Sequence, residues 1–408
     1  MENANDYQPI SWKKGFLTIA AGQTVSLIGS SAVQFSLIWW LASETASPLI
    51  MSLAGLLAFL PQFLLGPFAG VWVDRLSRKT VIIGADLFIG LVATVFAISF
   101  LIWDPPYWLA CVVLGARAVG SVFHLPAIQA AVPMLVPKEE LVRANSWSQF
   151  MQSAAFMVGP ILGAAMYAVL PLPIILLTDL LGAVVASISV AVVAIPEIEY
   201  EKRPRPNFAA EIKEGIAVYL SDKRLYIVTM ASAISMVFFM PLSMFYPLMT
   251  SDYFKATAWH LSINQLAYSI GMMLGAVAVS GLGEIKNKLG VVHLGLMVLG
   301  VASLLGGMLP PTMVGFWIFV ALCLAMGASV NLYNIPFTAY LQETIPKEAQ
   351  GRAFSLLGSL LSITMPIGLL IAGPVAERYG VPLWFLIAGT GVVIITGLSA
   401  LLQHLLDR

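Results

Sequence analysis

The chain has 408 residues, of which 59% are hydrophobic and only 10% charged, with a formal net charge of zero. A water-soluble protein carries roughly a quarter charged residues, so this one has too little polar surface to cover itself in water and belongs in a membrane. The charge balance is silent on partners, and no nucleic-acid partner, cofactor or enzymatic activity is expected.

In chain order, the opening "MENANDYQPISWKK" is polar and acidic ahead of Lys13 and Lys14. The apolar run after it is too long for a signal-peptide core, so the first span is expected to be retained. A crossing needs about 20 mostly apolar residues, and twelve windows qualify: 16–41, 48–73, 80–103, 107–131, 142–169, 172–195, 225–250, 259–283, 289–309, 312–336, 351–376 and 381–404. Span 1 carries Gln23, Gln34 and Trp39. After span 2 comes "GVWVDRLSRKT" (70–80), with Gly70, Asp74, Arg75, Arg78 and Lys79. Asp74 can face a helix N-terminus, and the basic residues can make breakable charge contacts between bundles.

Span 3 holds Asp86, and span 4 holds Arg117 and Gly120 in "RAVG", then Phe123 and His124. An unpaired arginine at membrane depth costs at least a few kcal/mol, so Arg117 must face a cavity or a partner. "PKEELVRAN" (137–145), with Arg143, leads into span 5, whose "VGPILG" contains Gly159, Pro160 and Gly163. Small residues there permit close helix approach and the proline permits a bend. Span 6 holds Asp179.

The longest polar segment follows, "PEIEYEKRPRPNFAAEIKEGIAVYLSDKR" (196–224). Phe208, Ile212, Ile216 and Leu220 recur every four residues in it, the spacing of an amphipathic surface helix or of a solvated linker helix. Span 7 offers Phe238, Phe239, Met240 and Tyr246, and span 10 offers Asn331, Tyr333 and Asn334. "PKEAQGRAF" (346–354), with Arg352, stands between spans 10 and 11. Glu343 and Glu377 lie near span ends, and Cys111 and Cys323 lie in apolar runs and read as buried hydrophobes, with neither a disulfide nor a metal site inferred.

The two Pro-Lys-Glu phrases repeat at a 209-residue offset, half the chain, which makes spans 7–12 a second edition of spans 1–6. A weaker echo aligns "GADLFIGLVATV" (84–95) with "LTDLLGAVVASI" (177–188) and matches Asp86 with Asp179, as inverted triplets would. The expected organisation is therefore all-α: a six-helix bundle over 1–196, a linker over 197–224 and a second six-helix bundle over 225–408. With the N-terminus inside, eighteen of the 21 basic residues are cytoplasmic and only Lys255 and Arg378 fall outside. That asymmetry puts both termini in the cytoplasm, and both phrases become cytoplasmic hinges in which Arg143 and Arg352 can serve an inner gate.

With these residues in view, "GVWVDRLSRKT", "RAVG" and "VGPILG" resemble three signature motifs of major facilitator transporters, with Ser77 where a glycine is usual. "AAGQTVSLIGSSAVQFSLIWWL", "HLPAIQAAVPMLVPKEELVRANSWSQ" and "GRAFSLLGSLLSITMPIGL" are similar to the macrolide efflux proteins of that superfamily, and the likeness covers nearly the whole chain. The resemblance implies a multi-pass protein of the bacterial cytoplasmic (inner) membrane that exports bulky amphiphilic antibiotics, macrolides above all, driven by a proton gradient with no other cofactor, and a monomer is expected.

Such an antiporter needs a titratable group in a cavity, and Asp86, Asp179, Arg117 and His124 are the candidates. Spans 3 and 6 are usually peripheral supports, so either aspartate can equally be a structural tie. Drug contacts are expected from Gln23, Gln34, Trp39, Phe123, Phe238, Phe239, Met240, Tyr246, Asn331, Tyr333 and Asn334, on spans 1, 4, 7 and 10. The competing readings are a siderophore or metabolite exporter, a passive facilitator, and a non-transporting receptor or scaffold.

Overall fold

The computed structural model describes residues 12–137, 140–195, 216–281 and 285–406. The first part of the chain forms α1 (Trp12–Thr45), α2 (Pro48–Arg75), α3 (Arg78–Ile102), α4 (Tyr107–Leu135), α5 (Leu141–Val169) and α6 (Leu172–Ala191). The second part forms α7 (Lys223–Phe239), α8 (Leu242–Leu248) continued by a π-helical turn (Met249–Tyr253), α9 (Ala258–Gly281), α10 (Lys288–Gly307), α11 (Met313–Thr344), α12 (Lys347–Tyr379) and α13 (Val381–Leu406). Among the described residues twelve segments are long and apolar enough to cross a membrane, α7, α8 and the π turn counting together as one. They correspond one for one with the twelve windows.

Several helices outrun their windows, because an apolar window marks only the hydrocarbon core while backbone hydrogen bonding continues through the headgroup layer. Helix α11 passes Pro336 and ends at Thr344. The two Pro-Lys-Glu phrases fold differently. Pro346 is the N-cap of α12, so "PKEAQGRAF" forms that helix's own first turns, whereas Pro137 accepts a hydrogen bond from the Glu140 amide (3.0 Å) in a turn ahead of α5.

Span 7 is broken. Pro241 cannot donate to the Val237 carbonyl, so α7 ends at Phe239 and α8 restarts at Leu242. Helix α12 covers the break with Gly368, where an added methyl would strike Val237 O and the Pro241 ring.

The chain divides into two compact units, Met1–Ile38 with Leu60–Arg203, and Trp39–Phe59 with Pro204–Arg408. In lipid there is little hydrophobic drive between helices, so close packing depends on small residues. In the first unit a methyl at Gly163 of α5 would lie 2.6 Å from Ala32 O of α1, Gly159 abuts Ser31, and Gly90 of α3 would meet Leu180 Cα of α6 at 3.0 Å. In the second unit Gly271 of α9 faces Leu324 O of α11, and Gly327 of α11 faces Tyr268 O of α9. Leu91, Val95, Leu181 and Val277 point outward, as lipid-facing side chains do.

Of the expected amphipathic stripe, Phe208 and Ile212 lie outside the described residues. Residues 216–221 are helical, with Ile216 and Leu220 exposed and Tyr219 buried. Burial pushes the Tyr219 phenol up to about 12, so it keeps its proton and donates to the Ala353 carbonyl at 2.9 Å, fastening this segment to α12.

Candidate functional site

Among the described residues the buried charged side chains are Arg78, Asp86, Arg117 and Asp179, all in the first unit. Three of them sit in mid-helix, and each finds partners on two other helices.

Asp86 projects from α3 at 5% exposure. Its Oδ2 accepts from Gln23 Nε2 of α1 at 2.9 Å, and its Oδ1 lies 3.1 Å from His124 Nε2 of α4. His124 Nε2 is also 3.0 Å from Gln23 Oε1. The carboxylate must take the amide's N–H, which turns Gln23 Oε1 toward the histidine. Both neighbours of His124 Nε2 are then acceptors, so that nitrogen carries a hydrogen.

Asp179 projects from α6 at 2% exposure. Its Oδ2 is 2.5 Å from Arg117 Nη1, and its Oδ1 accepts from Ser30 Oγ at 2.5 Å. Arg117 Nη2 also donates to the Ser30 carbonyl at 3.2 Å. The buried guanidinium is thus paired on α6 and anchored on α1.

The two clusters share a plan. Helices α3 and α6 each supply one carboxylate, the pair matched by the internal echo. Helix α1 supplies Gln23 to one and Ser30 to the other, and α4 supplies His124 and Arg117. Within each of those two helices the partners stand seven residues apart, two turns or about 10 Å along the axis.

Chemically the clusters differ. Arg117–Asp179 sets a guanidinium against its carboxylate. The other cluster sets an amide and an imidazole against its carboxylate in place of the guanidinium. Among the described residues no group of three or more His, Cys, Asp or Glu gathers to hold a metal.

Gln23, expected among the drug contacts, is committed to Asp86. Ser30 was missed by the sequence reading, since one serine in an apolar helix is unremarkable. Its signal is the seven-residue offset from Gln23, which matches the offset from Arg117 to His124. Of the residues expected in the loop after span 2, Arg78 and Lys79 instead open α3; Arg78 is 7% exposed, and Lys79 Nζ donates to the carbonyls of Ala191 (2.6 Å), the last residue of α6, and Val193 (3.1 Å) just beyond it. Gly70, Asp74 and Arg75 of α2, Arg143 of α5 and Arg352 of α12 have side chains outside the described residues. A methyl at Gly120 would stand 2.6 Å from Ile89 of α3, and Pro160 lies within α5 between Gly159 and Gly163.

Gln34 is exposed, and Phe123 packs half-buried against Ile19, Ile82 and Ala127. In the second unit Trp39 is buried. Phe238 stacks on Trp384 with ring centres 6.4 Å apart, Phe239 is buried and Met240 is the C-cap of α7. Tyr246 sits between Phe319 and Phe385, its hydroxyl 3.7 Å from Met326 Sδ. Asn331 Nδ2 donates to the Met272 carbonyl of α9 at 2.7 Å, Tyr333 stacks on Phe337, and Asn334 is exposed.

Two carboxylates near span ends make specific contacts. Glu377 Oε2 accepts from Ser47 Oγ (2.8 Å) and from the Leu49 amide (2.9 Å), holding the start of α2. Glu343 pairs with Lys288 at 3.0 Å.

The sequence matches the Major Facilitator Superfamily over residues 19–369. It is 40% identical to macrolide efflux protein A of Streptococcus pyogenes, covering 94% of this chain and 95% of that protein. It is 38% identical to macrolide efflux protein A of Enterococcus faecalis, covering 79% and 99%. Among solved structures it superposes on the nucleoside transporter NupG with a TM-score of 0.72 at 12% identity, covering 95% of this chain and 98% of that one, a likeness of fold alone. On the family match and relatives of this identity and coverage, the chain is a multi-pass protein of the bacterial inner membrane and belongs to the Major Facilitator Superfamily.

Proposed function

We propose that the protein is a proton-coupled antiporter that exports bulky amphiphilic antibiotics, macrolides above all, by alternating access. The substrate side of this reading leans on the relatives named as macrolide efflux proteins, which match nearly end to end. The coupling side is carried by one observation, the buried Asp86–Gln23–His124 cluster beside the fixed Arg117–Asp179 pair.

With Asp86 ionised and His124 neutral, the first cluster holds one uncompensated negative charge. A proton taken onto His124 makes it a neutral ion pair, which a low-dielectric interior tolerates far better. Occlusion therefore favours the loaded cluster, and opening toward water favours release. The difference between these states is the free energy that biases alternating access. Arg117–Asp179 keeps its charge throughout and holds α1, α4 and α6 in register.

The basic residues Arg75, Arg78, Lys79, Arg143 and Arg352, with Gly70 and Asp74, serve as the cytoplasmic gate. Gln34, Trp39, Phe123, Phe238, Phe239, Met240, Tyr246, Asn331, Tyr333 and Asn334 supply drug contacts.

The test is expression in a drug-sensitive host lacking its main pumps, with macrolide susceptibility measured with and without a protonophore. Resistance that the protonophore abolishes is expected. Unchanged susceptibility removes the macrolide assignment, and efflux indifferent to the protonophore removes proton coupling.

A further inference from the structure

The Asp86–Gln23–His124 cluster has an internal control in the second unit. Shifted by 209 residues, the bounds of α1–α6 meet those of the second unit's six crossings to within six residues at every end. The backbone repeats with them: Ala46 and Lys255, 209 apart, are the described non-glycine residues with positive φ, at 46° and 53°. The same shift takes Gln23 to Ser232, His124 to Tyr333 and Asp86 to Gly295. Ser232 and Tyr333 are 0% and 6% exposed and joined by a side-chain hydrogen bond, so the tie between these repeat-equivalent helices is made in both units. What the second unit lacks is the carboxylate. At Gly295 an added methyl would stand 2.6 Å from the Tyr333 amide nitrogen, and backbone fills the place of the acid.

A hydroxyl is enough for that tie. The first unit uses an amide instead, which carries its donor and its acceptor on separate atoms. Gln23 uses both: its Nε2 donates to Asp86 Oδ2 at 2.9 Å, and its Oε1 accepts from His124 Nε2 at 3.0 Å. His124 Nε2 also faces Asp86 Oδ1 at 3.1 Å, so the three side chains close a ring. The charged neighbours on the surrounding helices are Asp86 itself on α3 and, two turns away along α4, Arg117 paired with Asp179 of α6. With its Nε2 hydrogen held between two acceptors, the neutral imidazole has its lone pair on Nδ1. Remove the amide and a single carboxylate oxygen faces the ring, which either nitrogen can meet after a ring flip. Both tautomers then become accessible.

We infer that Gln23 is a positioning residue for proton transfer: it locks His124 in the Nε2–H form, so that the proton of the transport cycle is taken up and given back at Nδ1. The inference rests on the proton-coupled reading above and names the atom that performs the exchange. A proton delivered by water adds to the Nδ1 lone pair, the ring gains one positive charge against the Asp86 carboxylate, and release returns the proton to water. The Nε2 hydrogen stays in place throughout, and Asp86 compensates charge without itself carrying the proton.

The test is nuclear magnetic resonance of the full-length protein in liposomes with isotope-labelled histidine nitrogens, the His124 signals being assigned by their loss in His124→Gln. Nitrogen shifts distinguish the two neutral tautomers from each other and from the cation. Neutral His124 in the wild type should be Nε2–H alone. Gln23→Met, which keeps the length of the side chain without its donor and acceptor, should show both tautomers. The maximal rate of protonophore-sensitive efflux should fall about tenfold in Gln23→Met, the worth of one hydrogen bond to a charged group, with the half-saturating drug concentration unchanged. An Nδ1–H tautomer in the wild type overturns the inference without any variant, so the question is decided even where Gln23→Met does not fold. A single Nε2–H tautomer in Gln23→Met overturns it as well. Tautomers that behave as expected beside wild-type efflux that ignores the protonophore would mean that coupling itself fails: the amide is then a tie like Ser232, and the proton step is overturned with the reading it rests on.

Discussion

The sequence names Asp86, Asp179, Arg117 and His124 as chemistry, because ionisable groups at membrane depth are rare and expensive. It does not say who pairs with whom, since pairing depends on how α1, α3, α4 and α6 are rotated about their axes. In the structure Asp86 meets His124 and Asp179 meets Arg117, which separates the two aspartates by partner. Asp86→Asn and His124→Gln should each abolish protonophore-sensitive efflux while leaving drug binding within about twofold, since the expected loss is of a proton and not of a fold. Proteoliposome uptake driven by an imposed pH gradient reads the first quantity and equilibrium binding the second, and wild-type uptake by either variant would remove that residue from coupling. Arg117 calls for a different expectation. Arg117→Ala leaves Asp179 buried without its cation, which costs about 3–5 kcal/mol, whereas removing both charges with Arg117→Leu and Asp179→Leu can be close to neutral in stability. The thermal midpoint of the purified protein should therefore fall in the single variant and largely recover in the double one, with transport lost in both. A double variant as unstable as the single one would contradict this account of the pair.

Elements were legible wherever the signal was length and apolarity, which is why twelve windows became twelve crossings. Interruptions were less legible. The break between α7 and α8 follows from Pro241, yet α11 runs through Pro336 unbroken, so proline alone does not mark the place. What differs is the neighbour: Gly368 of α12 seats the freed Val237 carbonyl and the Pro241 ring, a tertiary fact that no single window contains. The same holds for glycines, abundant throughout but tightly packed only at some positions. At Gly327 an added methyl would run into the Tyr268 carbonyl of α9, and at Gly29 of α1 it would meet nothing within 4 Å. Gly327→Ala should force α9 and α11 apart and lower the thermal midpoint. Gly29→Ala should hold or raise it, because alanine is favoured over glycine inside a helix by about 1 kcal/mol. Fluorescence-detected melting of the two variants distinguishes them, and equal effects would show that helix propensity and not close approach governs both sites.

Across the whole molecule the two repeats have diverged in chemistry while keeping their architecture. The buried charges of the described residues belong to the first unit, and the buried polar groups of the second are neutral Ser, Thr, Asn and Gln. A 209-residue echo reports common descent of the halves but not which of them kept ionisable groups, and only burial separates Asp86 and Asp179 from a carboxylate at a span end such as Glu343. Orientation in the membrane is a property of the whole chain on which the proposed direction of transport depends. The sequence reading rests on basic residues alone, with Lys13, Lys79, Lys223 and Lys286 expected on the cytoplasmic side and Lys255 and Arg378 on the other. Cysteine labelling can read it directly, because Cys111 and Cys323 are 0% and 1% exposed and contribute little background. Arg378→Cys should react with a membrane-impermeant maleimide on intact cells. Lys223→Cys, on the exposed first turn of α7, should react only after the membrane is opened. The reverse pattern would invert every crossing and turn the proposed exporter's uptake face outward, so this one measurement bears on the direction of transport.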